Sequence, residues 1–180
     1  MITEKTLTNA RQRARRLLQR AGIVARDEEI EAMEVLDMGL GNLDETGLQI
    51  LSMVETEAIA VKILVLFPGQ TFVEHRHPSL GDYAGKAETF RCQWGEIRLY
   101  VPGEATSNPR GAPPTGQESY YTARQEILLY PGEQHTVPPN TWHWFQAGEA
   151  GGVVWSFSTR ATDAQDEFQD PRLVRETIVT

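Results

Sequence analysis

The stretch Gly69–Gly95, GQTFVEHRHPSLGDYAGKAETFRCQWG, holds three side chains suited to a metal ion: His75, His77 and Glu88. Successive side chains of a strand alternate faces, so the His75-Arg76-His77 spacing turns both imidazoles to one side and Arg76 to the other. Two neutral imidazoles and a nearby carboxylate suit a divalent transition metal. A bare H-x-H also occurs on solvated strands, so the flanking residues carry weight. Gly69 lies ahead of His75 across five residues, and Gly95 follows Glu88 across six.

That arrangement, G-x5-H-x-H and then E-x6-G, resembles the first motif of the cupin superfamily. It departs in one respect. Cupins usually place the Glu only a few residues after the second His, whereas here the ten residues Pro78 to Ala87 intervene and are expected to loop out beside the site. The resemblance also demands a second motif, P-x-G-x-x-H, and Pro138-Pro139-Asn140-Thr141-Trp142-His143 supplies it. Asn140 stands where Gly is usual, and Asn is among the few other residues that visit the left-handed region. His143 thereby becomes the fourth ligand. His135, preceded by Pro131-Gly132-Glu133-Gln134, competes for that role, and its strand keeps it within reach of the pocket.

At 180 residues and 40% hydrophobic content, the chain builds one domain with a substantial core. A net charge of −8 argues against general nucleic-acid or anionic-membrane binding, which reward clustered cations. The basic cluster Arg11, Arg13, Arg15, Arg16 and Arg20 is read as the solvated face of an N-terminal helix. No apolar run reaches bilayer length and the N-terminus has no signal-like segment, so a soluble, cytoplasmic protein is expected. The single Cys92 fits a reducing compartment, and its alternation with Phe90 and Trp94 assigns it a buried apolar role.

Taken in order, the chain first predicts a helix from a Thr8 cap to about Ala21, with Ala10, Ala14, Leu17 and Leu18 as its apolar stripe, and a second from Asp27 to about Met38. From Gly47 the period changes to that of strands. Two β-branched runs, Leu48–Val54 and Ala58–Phe67, read as a hairpin. Glu88–Trp94 and Ile97–Val101 read as another, turning at Gly95-Glu96. Pro102–Gln117, rich in Pro and Gly, reads as an exposed loop. Further strands are expected at Tyr120-Tyr121, Glu126–Tyr130, His135–Pro138, Trp142–Ala147 and Gly152–Ser158. The expectation is an all-β cupin (double-stranded β-helix, or jelly-roll) barrel over residues 47–180, carrying an N-terminal helical extension over residues 1–46.

Five segments resemble one family within the superfamily. They are Phe67–Thr71, Glu74–Pro78, Gly85–Cys92, Leu99–Glu104 and Val137–Gln146, and they look like the D-lyxose ketol-isomerases, cupin sugar isomerases that share the long His77-to-Glu88 spacing. The resemblance implies aldose–ketose isomerisation of D-lyxose to D-xylulose, with D-mannose and D-fructose as a related pair. It also implies Mn²⁺ or another divalent transition metal on His75, His77, Glu88 and His143, and a homodimer. Lys86 and His135 join Glu88 as catalytic candidates; Lys86, His135, Trp94, Asp163 and Glu167 are candidate sugar contacts, the last two from an acidic tail segment that in the family closes over the barrel mouth. A metal-dependent dioxygenase and a non-catalytic sugar-binding cupin are the competing readings of the same ligand set.

One position departs from the family. In the segment Gly152–Ser158 the family carries a Glu where this sequence has Ser156, and that Glu is the natural base for carbon-bound proton transfer. A serine hydroxyl is too weak a base to replace it. Lys86, His135, Glu149 and Glu167 are therefore candidate bases, and Ser156→Glu is expected to raise isomerisation about tenfold or more, roughly 1.4 kcal/mol of barrier.

Overall fold

The computed structural model describes residues 1–180. Helix α1 spans Glu4–Arg20, one turn earlier than the periodicity predicts, because the Thr3 hydroxyl accepts the Thr6 N–H at 3.1 Å and caps the helix. Its buried stripe is Ala10, Ala14, Leu17 and Leu18. The basic cluster is only partly the solvated face expected: Arg11 donates to the Met33 carbonyl, Arg13 lies over the Phe67 ring and pairs with Asp44, and Arg15 pairs with Asp27, all three half-buried, while Arg16 and Arg20 are exposed. Helix α2 is only Asp27–Ala32. The predicted continuation to Met38 gives way to strand β1, Glu34–Leu36, because Val35 and Leu36 bury on opposite faces when extended. The first 46 residues thus contribute a strand as well as helices. Neither helix is long and apolar enough to cross a membrane.

The remaining strands are β2 (Leu48–Glu55), β3 (Ile59–Leu66), β4 (Thr71–Arg76), β5 (Glu88–Val101), β6 (Gln125–Leu129), β7 (Gln134–Val137), β8 (His143–Thr159) and β9 (Glu167–Phe168). All pair antiparallel. Neighbours run β1-β2-β3-β8-β4-β9, while β5 pairs with β8 and carries β6 and β7 on its other edge. The β2–β3 hairpin agrees with the sequence reading. Tyr120 and Tyr121, read as a strand, instead lie in and just after a 3-10 turn at Glu118–Tyr120.

The spine of the barrel is β5 against β8, with partners from Glu88↔Ser158 to Tyr100↔Trp144. Residues 88–101 are one bent strand rather than the expected hairpin. Register shifts flank Gly95, whose φ is +80°, and a Cβ there would run into the Gly151 carbonyl. The backbone conformation that suggested a turn serves here as a bulge, which re-aims a strand without reversing it. In the same way the two runs expected at Trp142–Ala147 and Gly152–Ser158 join into β8.

Two apolar clusters sit on either side of this sheet. One fills the barrel, from Leu36, Leu48 and Leu64 to Phe90, Phe145 and Val154. The other lies between α1, α2 and the outer face of β2, β3 and β8. Cys92 is buried in the first, and burial pushes its thiol up to about 11, in keeping with an apolar role. The curled antiparallel barrel is the cupin double-stranded β-helix that the two motifs imply.

Candidate active site

The paired strands β4 and β8 put His75 directly beside His143. His77 follows the end of β4, and Glu88 opens β5. The residues between them fold back on themselves, with Leu80 and Tyr83 exchanging backbone hydrogen bonds. Gly85 turns the chain back at φ +103°, where a Cβ would lie 2.6 Å from the His77 carbonyl. That turn returns Lys86 and Glu88 to the site. Asn140 takes the left-handed conformation expected of it, φ +58°, and its N–H donates to the His77 carbonyl at 2.9 Å, stitching the second motif to the first.

One ring nitrogen from each of His75, His77 and His143 lies within 4.8 Å of the other two, and all three side chains are buried. His75 Nδ1 pairs with the Val73 carbonyl at 2.9 Å and His143 Nδ1 with the Thr141 carbonyl at 2.8 Å. A carbonyl only accepts, so these contacts place the proton on Nδ1 and leave the Nε2 lone pair for another partner. His143 Nε2 is fully buried without a hydrogen bond. Burial also disfavours the charged ring, holding His143 down at about 3 and His75 well below its ordinary value, so both are neutral ligands at pH 7.

His77 is arranged differently. Its Nδ1 lies 2.6 Å from Asp166 Oδ1 and its Nε2 2.9 Å from Glu88 Oε2. Burial opposes a charge on the ring, but these two carboxylate contacts outweigh it and raise the pKa. With Nδ1–H donated to Asp166, the Nε2 lone pair and the Glu88 oxygen are two acceptors facing each other, an arrangement a shared cation satisfies. Three converging imidazole nitrogens, with the Glu88 carboxylate against that of His77, suit a borderline divalent transition ion, so the His75, His77 and His143 cluster could hold the metal that the cupin motifs imply.

Around this set lies a chain of charges. Burial alone would raise Glu88, but the Lys86 ammonium 3.1 Å from Oε2 and the Ser156 hydroxyl donating to Oε1 hold it well below the usual carboxylate range. Lys86 Nζ also donates to Asp163 Oδ1 at 2.7 Å, and the buried Lys62 pairs with Asp163 Oδ2. These neighbours keep Lys86 raised and Asp163 lowered against the opposing effect of burial. Asp166 is pushed up by burial, with the His77 hydrogen bond in partial opposition. The cavity is small, about 30 Å³, and is lined by these polar groups together with Leu36, Leu48, Ile50, Leu64 and Phe72.

The structure therefore brings together His75, His77, Glu88, His143, Lys86 and Asp163 from the expected set. Three others do not line the cavity. His135 is half-buried opposite Phe90 on the edge strand β7, and Phe90 forms the cavity wall there. Trp94 packs against the helical layer. Glu167 pairs with Arg76 on the outside because β9 alternates: Phe168 faces His75 while Glu167 faces Arg76. Glu149, named as a candidate base, is exposed at the bend of β8.

Lys62 and Asp166 were not singled out from the sequence. Both had a legible signal. Lys62 shares its strand face with Leu64, an unusual place for a lysine without a buried partner. Asp166 follows Asp163 by three residues across the 3-10 turn Asp163–Gln165, and side chains at that spacing eclipse.

No model of a protein family matches the chain. Individual relatives do. It is 51% identical over 175 residues to the D-lyxose ketol-isomerase of Thermofilum sp. and 50% identical to the D-lyxose/D-mannose isomerase of Thermosediminibacter oceani, covering 97% of both chains in each comparison. It is 46% identical to the D-lyxose ketol-isomerase of Cohnella laeviribosi over 94% of this chain and 93% of that one. Among solved structures, the fold is similar to L-ribose isomerase of Cellulomonas parahominis, with a TM-score of 0.81 at 15% identity over 99% and 98% of the two chains. Identity of 46–51% over nearly the full length settles what the motifs suggested: the chain belongs to the D-lyxose ketol-isomerase family and is a sugar isomerase.

Proposed function

We propose that the protein interconverts D-lyxose and D-xylulose, and the related pair D-mannose and D-fructose, with Mn²⁺ held by His75, His77, Glu88 and His143. The observation that carries this reading is the buried, unpartnered Nε2 of His143 converging with two further imidazoles at the cavity. Relatives named for lyxose and mannose support the choice of sugars.

Isomerisation removes a proton from the carbon beside a carbonyl, passes through an enediol and returns the proton to the neighbouring carbon. A bound divalent metal supplies Lewis-acid polarisation of adjacent sugar oxygens. The chain's own residues do the rest. Lys86, kept cationic by Glu88 and Asp163, presents an ammonium to the oxygen on which negative charge develops. His75 and His143 are locked in one tautomer by backbone carbonyls, and the apolar side chains among the cavity lining limit water around the enediolate.

On the same reading the enzyme acts in the cytoplasm as a homodimer. Val54, Ile59 and Phe157 are exposed on one outer sheet face, with Phe157 stacked on Trp155, and a second copy covers such a patch. The test is a product-chromatography assay of lyxose, mannose, xylulose and fructose with Mn²⁺ and after chelation. Metal-dependent lyxose turnover is the expected result. Oxygen consumption with a small organic substrate, or unchanged turnover after verified metal loss, overturns the assignment.

A further inference from the structure

Sugar isomerisation needs a base in the cavity, and position 156, where the family resemblance led to the expectation of a carboxylate, is a serine. Three carboxylates reach the cavity: Glu88, Asp163 and Asp166. Glu88 has both oxygens engaged, Oε1 by Ser156 and Oε2 by His77 and Lys86. Asp163 is clamped at both ends, Oδ1 by Lys86 and Oδ2 by Lys62. Neither has an oxygen free of a hydrogen bond or ion pair, and each such contact makes that oxygen a weaker base toward a carbon-bound proton. Asp166 is different. Its Oδ1 holds His77 Nδ1–H at 2.6 Å, whereas its Oδ2 has no hydrogen-bond partner and is not among the sealed polar atoms.

We infer that Asp166 is the general base of this enzyme, its Oδ1 orienting His77 and its Oδ2 carrying the proton between C1 and C2 of the sugar. The inference rests on the isomerase reading above. In the forward direction Oδ2 takes the C2 proton, the C2–H electron pair becomes the C1=C2 double bond, and the C1=O pair moves to O1, which is protonated from Lys86. The carboxylic acid then returns the proton to C1 while O2 gives its proton to Lys86 and becomes the ketone. C1 is reduced, C2 is oxidised, and the enzyme ends unchanged. No outside oxidant, reductant or co-reactant enters. One carboxylate serving both carbons in a small cavity carries part of the proton directly across.

The test uses Asp166→Asn and Asp166→Ala in the full chain. Asn keeps an oxygen to accept from His77 Nδ1–H, so the Mn²⁺-induced rise in melting temperature is expected to persist, while kcat falls by about 10²–10⁴-fold with KM little changed. Formate is expected to restore part of the Asp166→Ala turnover, which loss of a merely orienting group would not allow. In the wild type, deuterium at C2 of lyxose is expected in part at C1 of xylulose. Asp166→Asn retaining more than a tenth of wild-type kcat overturns the inference, as does loss of Mn²⁺ uptake in Asp166→Asn together with no formate rescue. Wild-type protein that turns over no aldose with Mn²⁺ overturns the substrate assignment instead, so the two failures are distinguishable.

Discussion

Ser156 stands where a strand carboxylate was expected, yet its hydroxyl has a partner of its own. It donates to Glu88 Oε1 inside the barrel, beside cross-strand neighbours Lys62 and Phe90. A glutamate at 156 would replace that donor with a second buried carboxylate. Glu88 would lose a hydrogen bond, and two like charges in contact force one to take a proton or move. The structure thus reverses the sign expected from the motif. Ser156→Glu is expected to reduce lyxose turnover at least about tenfold, some 1.4 kcal/mol of barrier, and to shrink the Mn²⁺-induced rise in melting temperature. Steady-state assay and a thermal melt of the same preparation check it. A faster variant with Mn²⁺ still bound would mean that position 156 accepts a working base, which Asp166 would then not need to supply.

At the scale of elements, what was legible follows from short-range geometry and what was not from long-range pairing. The alternation of His75 and His77, the left-handed Asn140 and the β2–β3 hairpin are each decided within a few residues. The bend in β5 is not, because Gly95 reads as a turn until Gly151 lies against it. Asp166 had a local signal in its spacing from Asp163, but its place beside His77 depends on the long-range pairing of β9 with β4. That packing also matters for access. A cavity of about 30 Å³ has room for only a few water molecules, and Asp163 and Asp166 of the segment from Asp163 to Phe168 line it, so movement of the segment is expected to widen the way for a pentose. Its outer fastening is Arg76, which holds Glu167 with Nε at 2.7 Å and lies 4.8 Å from the Trp142 ring. An exposed pair of this kind is worth roughly 0.2–1 kcal/mol. Arg76→Ala is therefore expected to leave the melting temperature nearly unchanged while amide hydrogen exchange across residues 163–168 speeds up several-fold. Unaltered exchange there would show that the inner contacts, Asp163 with Lys62 and Lys86 and Asp166 with His77, hold the segment without Arg76.

For the whole molecule, burying this many ionisable groups in one chamber ties stability to pH and to metal. His75 and His143 are neutral in the fold, His143 down at about 3, while a histidine of the unfolded chain titrates near 6.5. Between those values the unfolded state binds more protons, so stability declines as pH falls below about 6.5. Glu88 and Asp163, both lowered, act in the same direction at lower pH: their contribution is present above the unfolded carboxylate range and is lost as pH falls through their folded values. His77, raised, acts in the opposite sense, its contribution being full below 6.5 and fading as pH rises through its folded value. His135, also lowered by burial, joins His75 and His143, and these three imidazoles outweigh the opposing His77 and the raised Asp166. Metal-free protein is accordingly expected to melt lower at pH 5 than at pH 7. Mn²⁺ at about 100 times its dissociation constant adds about 2.7 kcal/mol to the native state at pH 7. That increment is expected to shrink at pH 5, where protons compete with the metal for imidazole and carboxylate. Scanning calorimetry at both pH values, on chelated and Mn²⁺-loaded samples, measures both effects. A metal-free melting temperature that does not fall toward pH 5 would contradict neutral, buried His75 and His143, and an equal Mn²⁺ increment at both pH values would place the metal on groups other than these.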